Sequence, residues 1–185
     1  MPRDAEATRV RLIEAAIKEF AEFGIAGGRV DRIAEYANAN KAQIYHYFGS
    51  KDQMFDAAFA EISARVAKNV PFDPRDLPGY ATKLADLYQN HPEILRMATW
   101  QRLERPSTAT NPRTESTVRG KLDAIQAVQQ EGVLSDHYPP EVLLALVLNI
   151  ASTWAASVPE VVATLPPKTR GQHIANAVQQ LLAVP

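Results

Sequence analysis

Apolar side chains recur along this chain at the spacing of a helix, and no segment alternates as a half-buried strand does. Near the N-terminus, Val10, Ile13, Ile17 and Phe20 fall on one helical face. Later segments repeat this pattern, with proline, glycine or asparagine at the breaks between them. The sequence therefore predicts an all-α fold of about nine helices.

The composition is that of a globular protein with one or two domains. The chain has 185 residues, of which 46% are hydrophobic and 22% charged. It lacks cysteine, which excludes disulfide and thiol chemistry, and its charged N-terminus lacks the apolar segment of a signal peptide. The most apolar stretch, 142–158, is short for a membrane span and carries Asn149 and Ser152. We therefore predict a cytoplasmic protein without a membrane segment.

Two short helical segments, 30–37 and 41–48, are separated by the sequence Asn38-Ala39-Asn40. Asparagine tolerates the left-handed conformation, so Asn38 suits a tight turn, and Asn40 suits the N-cap of the second helix. Two short helices joined in this way form a helix-turn-helix, whose second helix lies in the major groove of DNA. The spacing therefore predicts a DNA-binding headpiece.

The second helix combines apolar, aromatic and polar residues in a way that suits a groove. Ile44 and Phe48 are spaced to face the core, whereas Ala42 and Gln43 lie near the helix start, where base edges are met. Glutamine suits adenine, because its amide can both donate and accept on that base. Tyrosine, histidine and lysine can donate to phosphate oxygens. The residues predicted to contact DNA are Arg29, Lys41, Ala42, Gln43, Tyr45, His46, Tyr47 and Lys51.

The charge balance requires that any DNA affinity come from a local patch. The net charge of the chain is −1, but residues 29–51 contain four lysines and arginines against two acidic residues. A surface cluster of that size is common, and the tyrosines could equally belong to the headpiece core. Arg32 is expected to pack or to pair with a nearby acid rather than to contact DNA.

At these residues the sequence resembles a known family. The segment VDRIAEYANANKAQIYHYFGSKDQMFDAAF, 30–59, resembles the DNA-binding signature of tetracycline-repressor-type (TetR family) transcriptional regulators, and 11–24 resembles the family's first helix. Three features depart from the usual pattern: the turn is Asn-Ala-Asn rather than Gly-Val-Ser, Arg29 replaces a capping threonine, and Ala42 replaces a glycine. The matching residues are Ile33, Ala34, Ala37, Ile44, Tyr45, Tyr47, Phe48, Ser50 and Lys51.

The resemblance implies a ligand-responsive repressor that binds a pseudo-palindromic DNA operator as a homodimer. It implies a headpiece at 1–50, a connecting helix at about 51–69, and an effector-binding and dimerisation domain at 70–185. Helices 142–158 and 168–184 are expected to pair with their copies in a four-helix bundle. The residues considered for a small-molecule effector are Tyr80, Tyr88, Met97, Trp100, Leu103, Asn149 and Trp154.

An enzyme and a protein-binding adaptor are the alternatives to a regulator. The sequence has no nucleophile–base pairing, phosphate-binding loop or metal-ligand spacing, so we predict neither an enzyme nor a cofactor or metal. His46, His91, His137 and His173 are scattered rather than clustered. The remaining alternative is an all-α adaptor that binds proteins and carries a non-functional helix-turn-helix. Salt-dependent DNA affinity distinguishes the adaptor from the regulator.

Overall fold

The computed structural model describes residues 2–105 and 112–183, with side chains described for 5–105 and 114–183. Every regular element in these residues is an α-helix, which confirms the all-α prediction. The ten helices are α1 (Pro2–Gly27), α2 (Val30–Tyr36), α3 (Lys41–Phe48), α4 (Lys51–Asn69), α5 (Leu77–Asn90), α6 (Glu93–Glu104), α7 (Pro112–Gln130), α8 (Pro140–Ala156), α9 (Pro159–Ala163) and α10 (Pro167–Leu182).

The helix that the sequence did not predict is the five-residue α9. The sequence predicted an apolar helix over 142–158, but that helix already ends at Ala156, and Pro159 begins the next one. Proline suits the first turn of a helix, because the N–H that it lacks would have no intrahelical partner there. One turn is too short to produce a periodic pattern in the sequence, so the apolar spacing could not reveal it.

The described residues form two compact units. The first contains residues 2–65 and 93–105, so α6 belongs with α1 to α3 and most of α4. The sequence-based domain boundaries had placed α6 in the C-terminal part. The core of the first unit includes Leu12, Ile13, Ile17, Phe20, Ile33, Ile44, Phe48, Phe55, Ile62 and Met97.

Helix α1 bends sharply at Gly24, whose backbone angles are φ 72° and ψ −172°. A side chain there would be strained by the positive φ and would also lack space. A Cβ atom would come within 2.6 Å of Glu104 Oε1 and 2.8 Å of the Trp100 ring. The absence of a side chain at residue 24 therefore allows α6 to approach the backbone of α1.

Three residues of α6 hold the end of α1 through its backbone. The Arg96 Nε and Trp100 Nε1 groups donate to Ala21 O at 2.7 and 3.3 Å. Glu104 Oε2 accepts from the backbone N–H groups of Ile25 and Ala26 at 2.7 and 2.8 Å. These three side chains satisfy backbone groups that the bend at Gly24 leaves without helical partners.

The second unit contains residues 66–92 and 112–183. Helix α5 packs against both α8 and α10, and α7 packs against α8. Among the described residues, no helix combines the length and the apolar character needed to cross a membrane. The core of this unit includes Leu77, Tyr80, Leu84, Ile125, Val128, Leu143, Leu144, Val147, Ile174 and Val178.

We predict that Gly24→Ala lowers the free energy of unfolding by about 2 kcal/mol or more, because it combines backbone strain with overlap at the α1 bend. Gly120→Ala is the matched control. Gly120 lies inside α7, and apart from the helix backbone around it, no atom of the described residues lies within 4 Å of the place that an alanine Cβ would take, so alanine should stabilise by about 0.5–1 kcal/mol. Urea denaturation at fixed protein concentration measures both changes. Equal midpoints for the two variants would contradict the role assigned to Gly24.

Candidate nucleic-acid interface

Helix α2 begins without a side-chain cap of its own. Its N-cap residue is Arg29, which makes no side-chain capping bond. The start of the helix is held from α1 instead, where the buried Glu19 carboxylate accepts from the Arg29 backbone N–H at 2.7 Å. A carboxylate at a helix N-terminus also interacts favourably with the helix dipole. Glu19 therefore does from a neighbouring helix what the N3 glutamate of a capping box does locally, because it accepts from the N–H of the N-cap residue.

Glu19 also binds the side chain of Arg32, one turn into α2. Arg32 donates from Nε at 2.9 Å and from a terminal nitrogen at 2.6 Å. The guanidinium carbon lies 4.1 Å from the centre of the Phe23 ring, which provides a cation–π contact. The hydrogen bond to Glu19 raises the pKa of Arg32 further above its ordinary value. The expectation that Arg32 pairs with an acid is confirmed.

The turn between α2 and α3 has the predicted conformation. Asn38 has a φ of 48°, in the left-handed region that asparagine tolerates. The Ala39 N–H donates to Ala34 O at 2.9 Å, which closes the end of α2. From α1, Arg11 Nε donates to Ala37 O at 3.2 Å. The angle between the two short helices is thus fixed by backbone bonds and by one arginine.

Both ends of helix α3 are capped by local hydrogen bonds. Asn40 Oδ1 accepts from the Gln43 N–H, and Gln43 Oε1 accepts from the Asn40 N–H, each at 2.9 Å. This reciprocal pair is a capping box. At the other end, Gly49 has a φ of 79° and donates to Tyr45 O at 2.9 Å. The predicted N-cap at Asn40 is confirmed.

The two sides of α3 are chemically different. Ile44 and Phe48 are buried in the first core, as their spacing predicted. Lys41, Ala42, Tyr45 and His46 are exposed, whereas Gln43 and Tyr47 are half-buried. Tyr45 is 47% exposed, and Tyr47 packs partly against the core. The outer side of α3 therefore presents the residue types that meet base edges and phosphates.

Lys41 is already paired within the protein. Its Nζ lies 2.8 Å from Asp31 Oδ1 in the first turn of α2, and both side chains are exposed. The hydrogen bond and the charge of Lys41 lower the pKa of Asp31, and Asp31 in turn raises the pKa of Lys41. Both groups therefore remain charged near neutral pH. Because exposed ion pairs contribute little, a phosphate can replace Asp31 as the partner of Lys41 at small cost.

Lys51 holds the backbone before α2. Its Nζ donates to Ala26 O and Gly28 O, both at 3.2 Å. Lysine has three donors, so one remains for a phosphate. The side chain of Arg29 is exposed and forms no ion pair among the described residues. Of Arg29, Lys41 and Lys51, which are predicted to contact phosphate, Arg29 is the one whose side chain is least restrained by partners within the described residues.

The residues considered for a small-molecule effector are divided between the two units. Met97 is buried in the first core and Leu103 is 67% exposed, whereas Trp100 donates to the α1 backbone. Tyr88 and Trp154 pack against the second core. Burial and the neighbouring Tyr80 raise the pKa of Tyr88 to about 12, so its phenol is neutral.

The other candidates in the second unit differ in exposure. Asn149 is exposed and donates to Ala145 O at 2.8 Å, whereas Tyr80 is buried. Trp154 Nε1 donates to Arg170 O at 3.1 Å. The structure thus places Tyr80, Tyr88, Asn149 and Trp154 in one unit and the other three candidates in the other unit. The role of these residues stays a prediction.

Two residues that matter for this surface were not among those predicted. In α1, Glu19 lies at helical spacing from Leu12, Ala15 and Ala16, so an acid among apolar neighbours was the available signal. Asp31 lies between two cationic residues in the sequence and was counted only as part of the charge balance. Both signals are visible in the sequence, but the partner of each carboxylate is not.

Comparison with known proteins agrees with this geometry. Residues 12–58 match the family described as bacterial regulatory proteins of the tetR family. Residues 76–182 match a family described as the tetracyclin repressor-like C-terminal domain. The repressor SCO4008 of Streptomyces coelicolor is 42% identical over 162 residues, covering 85% of this chain and 83% of that protein. The repressor NicS of Pseudomonas putida is 27% identical, covering 72% of this chain and 69% of NicS.

A solved structure extends the similarity to the whole fold. The crystal structure of SCO4942 from Streptomyces coelicolor, described as a candidate transcriptional regulator, superposes with a TM-score of 0.84 at 37% identity. The superposition covers 96% of this chain and 99% of SCO4942. The similarity therefore includes the C-terminal helices as well as the helix-turn-helix.

We predict that Asp31→Asn raises DNA affinity roughly two- to fivefold, because it frees Lys41 and removes a negative charge near phosphate. The slope of log affinity against log salt should steepen by about one. Glu35→Gln is the matched control, since it removes the same charge from α2 without releasing a lysine. Fluorescence anisotropy with a DNA duplex from the gene's own upstream region measures both quantities. An equal effect of the two variants would show that Lys41 gains no phosphate when Asp31 is removed.

Proposed function

Since this chain belongs to the TetR family of transcriptional regulators, we propose that it is a ligand-responsive repressor that binds a pseudo-palindromic operator as a homodimer. The observation that carries the proposal is helix α3, which is capped at both ends and presents exposed polar residues on its outer side. Such a protein acts in the cytoplasm, on the nucleoid. The names of SCO4008 and NicS, both repressors, support repression rather than activation.

In this proposal, α3 lies in the major groove and the residues around it hold the DNA backbone. Ala42 and Gln43 meet base edges, whereas Arg29, Lys41 and Lys51 contact phosphates. The Tyr45, His46 and Tyr47 side chains donate to phosphate oxygens. Two headpieces of a dimer would read half-sites about one helical turn apart, roughly 34–36 Å.

The proposed dimer forms through α8 and α10, and the exposed side of α8 supports the part of this interface that α8 provides. Val142, Ala145, Leu146 and Asn149 share one face of α8 and are all exposed in the single chain. Leu146 is 37% and Val142 42% exposed, although the opposite side of the helix is buried in the second core. An apolar face outside the core is a suitable subunit interface, and two-fold symmetry brings it against its own copy.

We predict that Leu146→Glu produces a monomer, because two carboxylates near the two-fold axis would be desolvated without partners. Affinity for a two-half-site duplex should fall by on the order of 100-fold, since the second headpiece is no longer tethered. Val133→Glu is the matched control, as Val133 is 59% exposed in the turn after α7. Sedimentation velocity reports the mass of each variant. A dimeric Leu146→Glu protein would place the interface elsewhere.

The effector would act on the spacing of the two headpieces. Helix α4, Lys51–Asn69, directly follows the helix-turn-helix and continues into the second unit, so it can carry a change along the chain. A ligand shifts this equilibrium only by binding the DNA-free arrangement better than the DNA-bound one. The effector candidates that belong to this second unit are Tyr80, Tyr88, Asn149 and Trp154.

The experiment that tests the function is fluorescence anisotropy with upstream DNA at two salt concentrations, in the presence of excess non-specific competitor. We predict competitor-resistant binding that weakens steeply as salt rises. Tyr45→Phe should weaken it about two- to tenfold, because it removes a single donor to phosphate. Tyr36→Phe is the control. Tyr36 is about as exposed as Tyr45, but it lies at the end of α2, and the Lys18 ammonium group lies over its ring. Absence of salt-dependent binding would favour the protein-binding adaptor.

A further inference from the structure

Lys121 is a half-buried cation that has no acidic partner among the described residues. It lies on α7, and its Nζ donates to the hydroxyl oxygen of Tyr80 on α5 at 2.8 Å. The same nitrogen lies 5.4 Å from the centre of the Phe72 ring and 5.2 Å from the centre of the Tyr80 ring. These two rings meet edge to face, with 5.0 Å between their centres. Within the second unit, the ammonium is therefore held by a phenol and two aromatic rings rather than by a carboxylate.

The acids that lie near this cluster in the sequence have other partners or lie on another side of their helix. Asp73 and Asp76 each accept from a backbone N–H two or three residues ahead, at 2.9 and 2.8 Å. Asp123 is exposed and stands two positions from Lys121 on α7, so the two side chains do not face each other. In the part of the chain that the structure describes, two N–H groups of Lys121 and the O–H of Tyr80 have no acceptor. The cluster thus offers donors and a positive charge to an incoming group.

We propose that Lys121 and Tyr80 form an anion site that takes the carboxylate of an organic acid, and that this acid is the effector. An ionised carboxylate only accepts hydrogen bonds, so it complements a set of donors, and its bonds to an ammonium are roughly twice as strong as neutral ones. The half-buried Phe72 ring at the same place suits an apolar or aromatic body on the acid. The inference rests on the proposed ligand-responsive function and adds the chemical class of the effector.

The test uses isothermal titration calorimetry of the purified full-length protein with benzoate, phenylacetate, 2-naphthoate and octanoate, each compared with its primary amide. At least one acid should bind about tenfold or more tightly than its amide, because the amide has no charge to pair with Lys121. Lys121→Met keeps the aliphatic stem and should weaken binding of that acid by about 10- to 100-fold. Lys83→Met is the matched control, since it removes the same charge from an exposed position of α5 and should bind as wild type does.

Two further variants separate the charge from the hydroxyl donor. Lys121→Arg keeps the charge and should retain most of the binding, whereas Tyr80→Phe removes one donor and should weaken binding about two- to tenfold. The comparison of acid with amide uses wild type, so it holds even if a variant fails to fold. Absence of binding by all four acids, equal binding of acids and amides, or unchanged binding in folded Lys121→Met would each overturn the anion site.

Fluorescence anisotropy with upstream DNA then tests whether the bound acid acts as an effector. Release of DNA from wild type, but not from Lys121→Met at the same acid concentration, would support the effector role. Retention of DNA by wild type saturated with the acid would overturn that role. If the protein binds the acid but shows no DNA binding at all, the proposed function fails while the anion site stands, so the two failures are distinguishable.

Discussion

The buried Glu19 carboxylate is the interaction on which the arrangement of the headpiece depends. It accepts from the backbone of Arg29 and from the side chain of Arg32, so one group of α1 holds both the start and the first turn of α2. A buried charge is costly unless it is fully paired, and removing one partner of such a pair typically costs about 3–5 kcal/mol. The position of α3 follows from that of α2 through the short turn at Asn38. A carboxylate on α1 thus sets the geometry of a surface to which it does not itself belong.

Local chemistry explains which parts of this surface could be predicted from the sequence. The left-handed turn at Asn38 and the cap at Asn40 depend on residues fewer than ten positions apart, and the i, i+4 spacing of Ile44 and Phe48 is likewise local. The helix spacing in the rest of the chain was equally visible. What the sequence could not supply were partners distant along the chain, such as Glu104 beneath the bend of α1. Periodicity indicates that a helix has an apolar side, but it does not name the helix that covers it.

The sequence also could not show which of the predicted site residues already have partners within the folded chain. Residue type suggested that Lys41, Gln43 and Lys51 are free to meet DNA, yet in the folded chain all three have intramolecular partners. These partners differ in how readily they can be replaced. An exposed carboxylate beside Lys41 can be exchanged for phosphate, whereas the backbone bonds of Gln43 and Lys51 are part of the fold. The effector candidates were chosen by composition, which cannot assign Met97 and Trp154 to different units.

The hydrogen bonds between α6 and α1 affect how the chain folds during synthesis. The bonds from Arg96, Trp100 and Glu104 join residues that are 75 to 79 positions apart in the sequence. Met97 also contributes to the core that surrounds the helix-turn-helix. The first unit therefore cannot be completed until the ribosome has released α6, well after α3 has emerged. Contacts of such long range form late and slow the folding of a domain. A fragment that ends with α4 would lack both this core residue and the side chains that close the bend of α1, because the first unit is not a continuous stretch of sequence.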